Sequence, residues 1–199
     1  PWLASNPGKR WTEAFFLGFA VIWISMATAI VATGLYEVCA RQVFTTVLTP
    51  VYAQSFTGTS YMVFGLMCAL PCFFGPLLFD GQGEPQTPFW ERYWIKANIW
   101  QFILSFIGNY LWTHYFYTLL GAGYTIPGFR LNNVPFCLFL VTHAYFTFYH
   151  SLTNIALRRF WRSSTYTAAG WATRPLLSAV LIFAMAYFTA FMETWTIAS

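Results

Sequence analysis

The chain has 199 residues, of which 58% are apolar and only 8% charged, and its mean hydropathy is +0.53. A soluble domain is about one quarter charged, so six acidic and ten basic residues cannot solvate a globular surface of this size. The net charge of +4 is not gathered into a basic patch interleaved with exposed aromatics, which argues against a nucleic-acid partner.

A membrane-spanning helix needs about 20 mostly apolar residues. The first predicted span runs from Trp11 to Tyr36 through Phe15, Phe16, Ile22 and Ile30. The second covers Thr59 to Phe79, where Pro71 and Pro76 predict a bend or a shortening. A third runs from Tyr93 to Leu120 and a fourth from Pro135 to Leu157. The fifth starts at Pro175, a residue favoured in a helical first turn, and continues to Ile197. Between them, 37–58, 80–90, 121–134 and 158–174 are polar or rich in Gly and Pro. There is no internal repeat, low-complexity tract or soluble domain. The expectation is an all-α, polytopic bundle of five transmembrane helices forming a single domain over residues 1–199.

Basic residues near span ends set orientation. Lys9, Arg10, Arg92, Lys96, Arg158, Arg159, Arg162 and Arg174 fall on one predicted side, and only Arg41 and Arg130 on the other. A cytoplasmic N-terminus is therefore expected. Cys39, Cys68, Cys72 and Cys137 show no zinc-ligand spacing and read as small buried hydrophobes.

The third and fourth spans carry polar groups that lipid-facing helices should not. Residues seven or eleven positions apart share roughly one helical face. His143, Thr147, His150 and Asn154 therefore form one stripe, and Asn98, Gln101, Ser105 and Asn109 another. Such groups need partners in hydrocarbon, so facing stripes predict either an enclosed chamber or an interhelical hydrogen-bond ladder. The ladder is the plainer reading for the amides, since polar contacts hold membrane helices together by roughly 0.6 kcal/mol each. Histidine on an apolar helix points further, because imidazole serves as acid, base or ligand. His114, flanked by Trp112 and Tyr115, reads equally as an interfacial residue. Among the acids, Glu193 lies in the fifth apolar stretch, where desolvation favours a protonated carboxyl able to act as a general acid. Its plainer reading is an interfacial Glu at a helix end. Glu37 closes the first span on the same predicted side, while Asp80, Glu84 and Glu91 sit in a polar connection where solvated roles are expected.

The strings Arg92-Tyr93-Trp94-Ile95-Lys96-Ala97-Asn98, Gly108-Asn109-Tyr110-Leu111-Trp112-Thr113-His114 and Asn132-Asn133-Val134-Pro135 resemble those of the cycloeucalenol cycloisomerase family. So do Leu140-Val141-Thr142-His143, Phe148-Tyr149-His150 and Ser151-Leu152-Thr153-Asn154, with Trp2-Leu3-Ala4 near the start and Glu193-Thr194 near the end. The resemblance implies an isomerase of sterol biosynthesis (an intramolecular lyase) that opens the 9β,19-cyclopropane of a cyclopropyl sterol. Such a reaction requires no redox cofactor and no metal. It also implies an integral protein of the endoplasmic reticulum, or of the inner membrane in a bacterium, with the sterol and the bilayer as partners.

On that resemblance, Glu193 is the expected proton donor and His143 and His150 the acceptor or relay, with His114 and Glu37 as further candidates. Trp94, Tyr110, Trp112 and Tyr149 are candidates to shelter the cation, and Asn98, Asn109 and Asn154 to contact the substrate. Family members continue past the segment around Glu193 with further apolar spans, so the resemblance implies part of a longer protein or a shortened member. Two rival readings stand beside it. One is a b-type haem held between His114 and His143 or His150. The other is a non-catalytic sterol-binding or accessory subunit of a membrane complex.

Overall fold

The computed structural model describes residues 2–32, 58–78, 84, 86–121, 123–124 and 126–198. Helix α1 spans Pro7–Ala32, starting a turn before Trp11. The cause is local. Asn6 accepts the Lys9 N–H at 2.8 Å through Oδ1, and Pro7 supplies a preset φ at the first helical position. Helix α2 spans Gly58–Leu78 and continues through Pro71, so the expected shortening does not occur there; it ends two residues beyond Pro76.

After a 3-10 turn at Phe89–Glu91, helix α3 spans Tyr93–Ile107. Its first N–H lacks an intrahelical acceptor, as every helix start does. Glu84 supplies one, taking the Tyr93 N–H at 2.6 Å, so this acid is a helix cap rather than a solvated loop residue. A π-helical stretch, Gly108–Trp112, leads on into α4, Thr113–Leu120. Thr113 closes the wide turn, its Oγ1 donating to the Gly108 carbonyl at 2.9 Å. The extra residue in a π turn shifts the helical phase of α4 relative to α3. Asn109 lies within that turn and is buried.

A short hairpin intervenes, β1 (Arg130–Leu131) against β2 (Val134–Pro135), with Leu131 opposite Val134. Asn132 and Asn133 take φ of 52° and 64°, as a two-residue primed turn demands. Helix α5 then runs Phe136–Trp161. The single turn α6, Ser164–Ala168, is capped by Ser163, whose Oγ accepts from Tyr166 N. Helix α7 spans Thr173–Ala198.

One core joins α1, α2, α3 and α5. It contains Phe16, Ala20 and Trp23 from the first, Phe64, Cys68 and Cys72 from the second, and Ala97 and Ala144 from the others. Helix α5 is central, packing most extensively on α2 and then on α3 and α1. Gly65 lets α2 and α5 approach closely: a Cβ there would stand 3.0 Å from the Cys137 carbonyl oxygen. In lipid the apolar effect does not favour helix association, so close backbone packing and buried polar contacts must do it.

By length and composition, Pro7–Ile30, Gly58–Leu78 and Thr173–Phe191 are long and apolar enough to cross a bilayer. The last is distinct, because none of its apolar stretch is buried in the protein; Leu176, Val180, Phe183 and Tyr187 are all exposed. Near its start, Ser178 Oγ accepts from Trp161 Nε1 at 3.1 Å.

Candidate active site

The buried face of α5 brings His143 against α2 and α3. The imidazole is 1% exposed and lies flat on the Phe73 ring, with centroids 3.9 Å apart and planes 5° from parallel. Phe102 meets it edge-on at 6.5 Å. On its far edge, His143 Nε2 lies 2.9 Å from Asn98 Oδ1. The Asn98 amide is itself fixed, since its Nδ2 donates to the Trp94 carbonyl at 3.0 Å. That leaves Oδ1 facing the ring. An oxygen acceptor there requires the proton on Nε2, which puts the free lone pair on Nδ1. Nδ1 is buried and has no hydrogen-bond partner among the described residues. Among the described residues, only Trp23 Nε1 shares that condition, and its ring packs edge-on to Tyr145 at 4.8 Å.

The rest of the two stripes follows the same seam. Gln101, Ser105 and Asn109 are buried on α3 and the π turn, and Thr147 and Ser151 on α5. Asn109 Nδ2 donates to the Ser105 carbonyl at 2.9 Å, while its Oδ1 accepts from Thr142 Oγ1 at 3.4 Å. Thr147 Oγ1 lies 3.5 Å from Cys72 Sγ and 2.8 Å from the Ala144 carbonyl. The cysteines Cys68, Cys72 and Cys137 are buried thiols; Cys39 lies outside the described residues.

A second polar cluster closes one end of the bundle, where the starts of α1 and α3 meet the end of α5. Lys9 Nζ donates to Asn154 Oδ1 at 3.2 Å, and Asn154 Nδ2 contacts His150 Nε2 at 3.0 Å. Tyr93 Oη reaches the same nitrogen at 3.1 Å. Because ammonium only donates, Lys9 pins the Asn154 amide, and the amide makes His150 Nε2 an acceptor. Beside it, Arg158 pairs with Glu13, which is 1% exposed, and Glu13 Oε2 also takes the Ala4 N–H at 3.0 Å.

Glu13 is a buried acid that the sequence did not single out. Its signal was an acidic residue just inside an apolar helix, matched by Arg158-Arg159 at the end of another. Phe73 and Phe102, the rings that meet His143, were missed too; phenylalanines are too numerous here for two to stand out. Of the aromatic candidates, Trp94 is buried, Tyr110 stacks on Phe106 at 5.4 Å, and Tyr149 packs beside Tyr145. Trp112 is 58% exposed and faces outward. Glu37 lies outside the described residues, as do the side chains of His114 and Glu193. The Nε2 atoms of both His143 and His150 are engaged by side chains, so neither offers that atom as a haem ligand in this arrangement. Among the described residues no cluster of His, Cys, Asp or Glu could hold a metal ion.

Fold and site together define a helical membrane protein with an enclosed polar centre. Over its full 199 residues the chain is 40% identical to cycloeucalenol cycloisomerase of Arabidopsis thaliana. The chain is thus similar over its whole length to a protein named as an isomerase. The chain spans 64% of the length of that relative. No protein-family model matches the chain, and no solved structure matches it significantly.

Proposed function

We propose that the protein opens the 9β,19-cyclopropane ring of a cyclopropyl sterol, a conversion of the cycloeucalenol-to-obtusifoliol type in sterol biosynthesis. The single observation that carries this reading is the buried lone pair of His143 Nδ1, unengaged among the described residues, in a chain similar throughout to such an isomerase. A proton added to C19 breaks the C9–C19 bond and leaves a tertiary cation at C9. Loss of the C8 proton then places the double bond between C8 and C9. Atoms and charge balance with one proton in and one out.

In this reading His143 Nδ1 takes the C8 proton. It is a lone pair without competing hydrogen bonds, in a region where water cannot intercept the cation. The faces of Phe73 and Phe102 shelter the positive charge, each by up to about 2 kcal/mol when desolvated. Phe73 covers one face of the imidazole, and Phe102 is 52% exposed on the outside of the bundle. A sterol already dissolved in the bilayer would enter by displacing that pair. Glu193 remains the proposed donor, with Glu37 sharing the site and His150 relaying protons from the end cluster. The same reading takes the long helical runs of α3–α4 and α5 as spans beside α1, α2 and α7, with a cytoplasmic N-terminus in the endoplasmic reticulum.

The test is turnover. Membranes expressing the chain are incubated with a cyclopropyl sterol in heavy water, and sterols are separated by retention and weighed. An isomer carrying one deuterium on the new methyl group is expected. Unchanged sterol in the presence of folded protein sinks the proposal for this chain.

A further inference from the structure

We infer that Asn98 is a positioning residue that holds His143 in the tautomer with its lone pair on Nδ1. The inference rests on the isomerase reading for its consequence, though not for its geometry. Family resemblance implies that Asn98 contacts substrate, but both ends of its amide are engaged: Nδ2 with the Trp94 carbonyl and Oδ1 with His143 Nε2. Its orientation is not free to reverse. A flipped amide would aim Nδ2 at Nε2 and oppose two carbonyl oxygens, Oδ1 and that of Trp94. The backbone of α3 therefore dictates which nitrogen of a histidine on α5 carries the proton.

The consequence is specific. Imidazole free of a partner exchanges its proton between nitrogens, and the wrong tautomer cannot accept at Nδ1. Stacking on Phe73 sets the plane of the ring but not its protonation pattern. Only the hydrogen bond at Nε2 distinguishes the two forms, as outer-shell partners do for catalytic and metal-bound histidines. Asn98 is 5% exposed, so water does not substitute for it in the resting protein.

The experiment uses histidine-labelled protein in lipid nanodiscs, with nitrogen NMR resolving the two ring positions of His143 and His143→Gln supplying the assignment. The parent chain is expected to show a bare Nδ1 and a protonated Nε2. Asn98→Leu should give a mixture of tautomers and lower kcat by roughly ten- to a hundredfold with KM little changed. A protonated Nδ1 in the parent overturns the inference, whatever becomes of the variants. So does an unaltered tautomer in Asn98→Leu. The tautomer is read without sterol, so a parent chain with the expected spectrum and no turnover counts against the isomerase alone.

Discussion

Arg158, near the end of α5, holds Glu13, near the start of α1, with both terminal guanidinium nitrogens: Nη1 lies 3.1 Å from Oε2, and Nη2 contacts Oε1. The same Nη1 donates to the Trp2 carbonyl at 3.1 Å, and Arg159 covers the Trp2 ring at 4.0 Å. The pair thus ties the segment before α1 to a helix that begins more than a hundred residues later. Removing one member of a buried pair strands the other charge. Glu13→Gln should therefore destabilise the protein by about 3 kcal/mol. Replacing Glu13 and Arg158 together by Met should cost less than the sum of the single changes. Unfolding followed in detergent measures both; a Glu13→Gln protein as stable as the parent would show the pair to be incidental.

If His143 is the base, its removal should strike chemistry more than folding. His143→Ala is expected to lower turnover by about a hundred- to ten-thousandfold. Under the same reading Glu193→Gln should also abolish most activity, since the amide cannot donate the proton. Sterol conversion by normalised amounts of folded protein decides each separately. Full activity in the His143 variant places the base elsewhere.

Two glycines should respond in opposite directions. At Gly65 an added Cβ would stand 3.0 Å from a backbone carbonyl on α5 and 3.3 Å from Leu140, so Gly65→Ala should cost about 1–3 kcal/mol by overpacking. At Gly18, inside α1, an added Cβ meets nothing within 4 Å among the described residues. Gly18→Ala should stabilise that helix by about 0.5–1 kcal/mol. Paired thermal unfolding curves test the contrast; similar effects at both sites would contradict the close α2–α5 contact.

The hairpin turn offers a backbone test. Asn132 and Asn133 both have positive φ, which β-branched residues tolerate poorly. Changing both to Val should cost about 1–2 kcal/mol per residue, while Gly at both should be tolerated. Asn132 Nδ2 also donates to the Tyr110 carbonyl at 2.5 Å, so the Gly variant loses that tie to the π turn. Stability measured for the Val and Gly pairs separates backbone strain from the lost side-chain contact.

Much of the bundle was legible because apolar length and helical periodicity are local properties. The Asn98 to Asn109 stripe is buried along its length, and His143 with Thr147 lies in the buried part of the opposing one. Less legible was how each polar group is used. Asn98 and Asn154 look alike in the sequence, as amides one turn from aromatic or imidazole neighbours. In the fold the first is aimed at His143 by a backbone carbonyl, and the second at His150 by Lys9. Their targets differ because a different helix supplies the third partner in each case.

Composition and periodicity by themselves determined a helical membrane protein with polar faces on its third and fourth apolar stretches, since burying such groups in lipid demands enclosure. They also placed basic residues at matching helix ends. Only the tertiary structure decided that Phe73 lies on His143, that Asn98 Oδ1 faces its Nε2, and that Glu13 belongs to Arg158. Periodicity specifies which side of a helix a residue occupies. It cannot specify how that side is rotated towards its neighbours, because the rotation is set by packing among four helices at once.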